Sequence, residues 1–211
     1  MTTTLIETAE FFSTKERHRF LYNNNRPVDV IPFGPITDKE KKLAWPPEHE
    51  IFMSMPGFEE AYSHSMTVVL SNDPVFAVKI PTLAGLVIMK LISWSDNYPH
   101  RQRDAEDLLL ILTNYDHAGN TERLYEREPA LLEESGFDTT EAGIRLLGRD
   151  MATIADQDTV GKVKEILNKE TGEQARYRLV ENMIKGSMEY DDKFDEVLNY
   201  VEKLKQGVKD S

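Results

Sequence analysis

The sequence predicts an α+β fold whose strands come early and whose helices come late. Between Arg17 and Ile80 several segments read as strands, with apolar residues recurring at every second position, the period of a half-buried strand. From Thr82 onward they recur at the three-to-four spacing of an amphipathic helix. The change falls at Pro81, and no strand-period segment follows it. The chain therefore divides into a mixed α/β first part, 1–118, and an all-helical second part, 119–211, in which short breaks between helices imply a small bundle.

The elements follow in order. Residues 5–16 have a weak helical period, with Leu5, Ala9 and Phe12 on one side. Arg17–Tyr22 and Pro27–Phe33 read as two strands joined at Asn23-Asn24-Asn25, because Asn tolerates the left-handed conformation that a hairpin turn needs. Gly34-Pro35 ends the second strand, and the polar stretch after it, carrying Trp45-Pro46-Pro47, reads as loop. Ala61–Leu70 alternates, with Tyr62, His64, Met66, Val68 and Leu70 on one face. Val75–Ile80 is a further strand after the turn Asn72-Asp73-Pro74. Thr82 is a good N-cap for the helix that follows. Further helices are expected at Arg101–Tyr115, Thr121–Glu134, Thr139–Ala155, Thr159–Lys169, Gln174–Ser187 and Tyr190–Val208.

Composition narrows the function. With 211 residues, 40% hydrophobic and 29% charged, the chain has the balance of an ordinary globular protein. It has no cysteine, which excludes disulfides, thiol nucleophiles and zinc–thiolate sites and suits a cytoplasmic location. The longest apolar stretch, starting at Leu83, is too short to cross a bilayer. The first residues lack the basic and apolar pattern of a signal peptide. The net charge is −12, spread along the chain without a basic tail. That excludes a general phosphate-coating surface but leaves room for anion binding in a local pocket.

Four groups of residues could carry chemistry. Asp29 sits inside the apolar run VDVIPF, where a carboxylate is costly to bury unless paired, hydrogen-bonded or bound to a metal; the alternative is a strand with one face in solvent. Lys90 is the one charge in a helix that is apolar nearly all round. It needs a partner or a phosphate, unless its stem snorkels to the surface. Asp104 and Asp107, three apart, point the same way from the first turn of the next helix. They favour the helix dipole, and they could also orient Lys90 or hold a cation. Arg101 and Arg103, just before them, are placed to meet phosphate oxygens. Gly186-Ser187 and Asp156-Gln157-Asp158 fall in or between helices and have no such role.

Several segments taken together resemble a known family. They are RHRFLYNNNRPVDVIPFGPI at 17–36, WPP at 45–47, MPGFEEAY at 55–62, LAGLVIMKLISW at 83–94, RDAEDLLLIL at 103–112 followed by Tyr115, and AGIRLLGRDMA at 142–152. This pattern, spanning nearly the whole chain, resembles the AbiEii-type nucleotidyltransferases, proteins that are often the toxin half of bacterial type IV toxin–antitoxin or abortive-infection pairs. The resemblance implies a nucleotidyltransferase-like mixed sheet with flanking helices, followed by the helical bundle. It implies transfer of a nucleoside monophosphate from a nucleoside triphosphate to an RNA acceptor, such as a tRNA end, or to a protein hydroxyl.

In that reading Asp29 is the strand-borne catalytic carboxylate, a Mg²⁺ ligand that helps deprotonate the attacking hydroxyl. Lys90 is the helix lysine near the nucleotide phosphates. Asp104 and Asp107 orient the lysine or the nucleotide. Two divalent ions and a cation for the triphosphate would suit in-line attack on an α-phosphate. The family pattern also has a Gly-Ser turn and an Asp-x-Asp strand before the Asp29 hairpin, and the residues preceding Asp29 here contain neither. The implied protein is an N-terminally incomplete nucleotidyltransferase, inactive as this chain, with an exposed sheet edge open to self-association and an antitoxin as a further partner. The alternative is a non-catalytic protein that binds a nucleotide, an RNA or a partner.

Overall fold

The computed structural model describes residues 10–16, 18–23, 25–45, 52–172, 174–186 and 190–210. The fold is α+β, and the chain forms two compact units, Met1–Met55 and Pro56–Ser211. The boundary expected at Ala118 lies inside the second unit, because the helices on either side of it pack together. Among the described residues the strands form three small antiparallel sheets and not a single mixed sheet.

In the first unit, β1 (Phe11–Ser13), β2 (Arg19–Tyr22) and β3 (Arg26–Asp29) make a meander in that order. Phe11–Ser13 is thus a strand and not part of a helix. Its aromatic residues suit a pleated surface, and Phe11 meets Tyr22 across the ladder with ring centroids 5.2 Å apart. The remainder of that expected helix, Leu5 to Ala9, lies outside the described residues. The hairpin forms as read: Asn23 takes φ 47°, and Arg19 is opposite Asp29 in the register. β3 stops at Asp29, earlier than expected. Only one further bond extends the pairing, from the Val30 N–H to the His18 carbonyl at 2.7 Å, and Pro32 has no donor to continue it. A second pair, β4 (Lys42–Ala44) and β5 (Phe52–Ser54), forms where the sequence reads as loop; three-residue strands leave too little alternation to detect.

The second unit opens with α1 (Phe58–Ser63). Alternation through Tyr62 and His64 suggests strand from Ala61, yet the chain is helical to Ser63 and the strand begins at Met66. Gly57 starts the helix at φ 89°, and a Cβ there would lie 2.8 Å from Ile88 Cγ2. β6 (Met66–Asn72) and β7 (Val75–Ile80) then form a hairpin.

All that follows is helical or turn among the described residues. α2 (Leu83–Asp96) starts at Thr82, whose hydroxyl accepts the Gly85 N–H at 3.2 Å. Val87, Ile88, Leu91 and Trp94 are fully buried, as expected for a helix apolar nearly all round. α3 (Gln102–Leu112) follows, then a π-helical turn at Asp116–Asn120. The single helix expected over Thr121–Glu134 is two, α4 (Thr121–Glu126) and α5 (Pro129–Glu134). Pro129 cannot donate a backbone hydrogen bond and sits at the start of the second.

α6 (Thr139–Ile154) and α7 (Gln157–Thr171) are capped by the carboxylates of Asp138 and Asp156, which accept the backbone N–H groups of Glu141 and Thr159. The Asp156-Gln157-Asp158 string is therefore a helix start. α8 is shorter than expected, Arg178–Met183, and begins after Tyr177 in the left-handed region at φ 54°. α9 (Tyr190–Lys209) lies against α6 through two glycines. A Cβ on Gly207 would overlap the Arg145 carbonyl oxygen, and one on Gly148 would overlap the Leu204 carbonyl oxygen. One continuous apolar core joins α2, α3 and the later helices.

Candidate functional site

The second unit brings Lys90, Arg101, Asp104 and Asp107 together. Lys90 lies on α2, the two aspartates on the first half of α3, and Arg101 is the residue that starts α3. The packing of α2 against α3 aims the lysine across the gap. Its ammonium donates to Asp107 Oδ2 at 2.6 Å and to Asp104 Oδ1 at 3.2 Å. Its side chain is 20% exposed, that of Asp104 12% and that of Asp107 51%. The lysine is thus paired and does not snorkel free.

Burial alone would lower the pKa of Lys90. The hydrogen bonds to Asp107 and Asp104 outweigh burial and hold it above the ordinary lysine value, so the ammonium stays charged through neutral pH. The pair of carboxylates serves both readings offered by the sequence. Asp104 lies in the first turn of its helix, where negative charge is favoured, and it also orients the lysine.

Arg101 adds a second cation. Its Nε is 2.9 Å from Asp104 Oδ2, yet the Nε–H is aimed elsewhere: Nε and Nη2 donate to Ser93 Oγ at 3.1 and 2.9 Å. Asp104 Oδ2 is accordingly a buried oxygen with a close positive charge but no aligned hydrogen bond. Ser93 is the residue of this site that sequence reading passed over. The available signal was its place three residues after Lys90, on the same side of α2.

Beside the cluster is an open cavity of about 400 Å³ lined by His100, Arg101, Gln102, Arg103, Asp104 and Glu106. Arg103 is exposed, and its side chain has no hydrogen bond or ion pair among the described residues. With Lys90 neutralised by carboxylates, the cationic groups on offer to a ligand are Arg101 and Arg103. A planar guanidinium meets phosphate oxygens through paired N–H donors.

Asp29 belongs to the first unit. Both its carboxylate oxygens accept from Arg19, Oδ1 from Nε at 2.7 Å and Oδ2 from Nη2 at 2.8 Å, across the β2–β3 register. The two side chains are 40% and 35% exposed. Asp29 is thus charge-paired at the solvent-facing side of a strand. The pairing raises the Arg19 pKa, chiefly through the hydrogen bonds to Asp29. As a place for Mg²⁺ the surroundings of Asp29 do not fit. Its oxygens are engaged by a guanidinium, and no group of three His, Asp or Glu able to hold a metal ion occurs among the described residues. Mg²⁺ gives up its water only to a well-formed oxygen site.

Among the described residues no helix is long and apolar enough to cross a membrane. No family model matches the chain, and comparison with curated proteins and with solved structures likewise gives no match.

Proposed function

We propose that the chain is a nucleotidyltransferase-like protein that binds a nucleoside triphosphate at the α2–α3 site. Arg101 and Arg103 meet the phosphates, Lys90 sits behind them, and Asp104 and Asp107 hold the lysine in place. The observation that supports this most is Lys90 itself: an ammonium kept charged and largely buried by two carboxylates, beside a cavity lined by two arginines. The sequence pattern around these residues, which resembles the AbiEii type, points the same way. Because Asp29 is engaged by Arg19, no transfer step is assigned to the described residues, and the proposed activity is binding.

Isothermal titration of the chain with ATP, GTP, CTP and UTP tests this. The expected result is saturable binding of at least one of them, weakened about tenfold or more in Arg101→Ala and in Lys90→Met. Both variants are checked for native circular dichroism. The absence of binding, or equal affinity in wild type and both folded variants, would overturn the proposal.

A further inference from the structure

We infer that Ser93 is a positioning residue for Arg101 and thereby sets the affinity of the site for a triphosphate; the ligand in this inference rests on the reading above. Arg101 faces two competing partners. Asp104 Oδ2 attracts its guanidinium by charge at 2.9 Å, and Ser93 Oγ takes two of its hydrogen bonds, from Nε and Nη2. A carboxylate is the stronger acceptor of the two, and this one is buried and has no aligned donor from Arg101. Ser93 therefore holds the arginine away from the closure that charge alone would favour.

The consequence concerns what remains for a ligand. With Nε and Nη2 turned to Ser93, Nη1 has no hydrogen-bond partner among the described residues. The side chain is 52% exposed and lines the cavity. If the Ser93 hydroxyl is removed, the Nε–H turns onto Asp104 Oδ2 and the guanidinium closes on that carboxylate as a fork. The closed pair draws the arginine out of the cavity and gives Asp104 Oδ2 the aligned hydrogen bond it lacks. Ser93 lies three residues after Lys90 on the same helix, so one face of α2 supplies both the buried lysine and the acceptor that aims the arginine.

The test is a double-mutant cycle read by ATP titration, together with the Arg101 side-chain Nε–H signal in ¹⁵N NMR. Ser93→Ala is expected to weaken ATP binding about fivefold. Ser93→Thr keeps the hydroxyl, and a helical Thr has two accessible rotamers; its affinity is expected to stay within about twofold of wild type. In an Arg101→Ala background, Ser93→Ala should have no further effect, which a merely structural role for Ser93 would not produce. Unchanged affinity in Ser93→Ala, or an equal loss with and without Arg101, overturns the inference while leaving the triphosphate reading intact. If the wild-type chain binds no triphosphate, the ligand assignment falls and the NMR signal decides the positioning. A slowly exchanging Nε–H in wild type and Ser93→Thr that is lost in Ser93→Ala upholds it, and an identical signal in all three refutes it.

Discussion

Lys90 and Asp29 look alike in the sequence, each a lone charge within an apolar run, and the structure treats them differently. Lys90 stands on a helix whose neighbours are buried, so its charge is answered from another helix by two carboxylates, and the result is a paired, partly buried cluster. Asp29 stands on a strand whose four residues are all exposed, and its charge is answered by the residue directly opposite in the hairpin. The cost of burying an ion is what separates them. A charge removed from water needs partners assembled by tertiary packing, whereas one at the surface is satisfied by a local cross-strand pair of small net worth. The first arrangement joins two helices beside a cavity, and the second ties a hairpin together.

Four substitutions would break or sharpen that contrast. The largest effect is expected in the helical unit that supports Lys90. Gly207→Ala would place a methyl group on the Arg145 carbonyl oxygen and force α6 and α9 apart. A loss of about 3 kcal/mol or more is expected in urea unfolding, and a change below about 1 kcal/mol would show that the helices do not pack as closely as described.

Next is Lys90→Met, which keeps the stem and removes the charge that Asp104 and Asp107 face. Discounted for partial exposure, the cost should be about 2 kcal/mol near neutral pH. The raised lysine pKa sets the sign of its pH dependence. The stabilisation is fully present below the unfolded value of about 10.4 and is lost as pH rises through the folded value. The difference between wild type and Lys90→Met should therefore hold from pH 6 to 9 and shrink above that range. A flat difference to the highest pH at which both remain folded would contradict it.

Asp210 gives the mirror case. Burial would raise its pKa, but its hydrogen bonds with Arg145 and Arg149 outweigh burial and lower it. Its contribution is present above the ordinary carboxylate value of about 3.9 and is lost as pH falls through the lowered value. Asp210→Asn should cost about 1 to 2 kcal/mol at pH 7 and nothing once the wild-type carboxyl is protonated. A thermal-unfolding series from pH 7 down to 2 would show this, and an undiminished gap at the acid end would count against it.

The smallest effect is expected at Asp29. Asp29→Asn loses a partly exposed pair and should cost about 0.5 kcal/mol or less. Hydrogen exchange across the hairpin should stay near that of wild type, and a global loss comparable to that of Lys90→Met would erase the distinction between the two residues.

The helices were the most legible part of the chain because a 3.6-residue apolar period is long enough to count. Thr82, the helix over Leu83–Trp94 and the acidic pair on the next helix can be read directly, and with them the expectation that Asp104 and Asp107 could orient Lys90. The short strands are harder. Phe11–Ser13 and Lys42–Ala44 each span only three residues, and pairing rather than pattern defines them. Tyr62 and His64 alternate with small polar residues, yet they lie at the end of a helix that Gly57 starts by packing against Ile88. Asp29 was legible as an anomaly but not as a pair, because its partner depends on a register that Asn23 helps to set. Ser93 was hidden for a different reason. A serine in a helix carries no charge to question, and its role exists only because the turn after α2 returns Arg101 to it.

Arg101 and Arg103, backed by the Lys90–Asp104–Asp107 cluster, are proposed to meet the phosphates of a nucleoside triphosphate. The ³¹P spectrum of ATP titrated with the chain tests this most directly. The phosphate resonances are expected to shift or broaden with wild-type protein and to lose that response with folded Arg101→Ala. Unperturbed resonances, or the same perturbation with and without the Arg101 guanidinium, would contradict it.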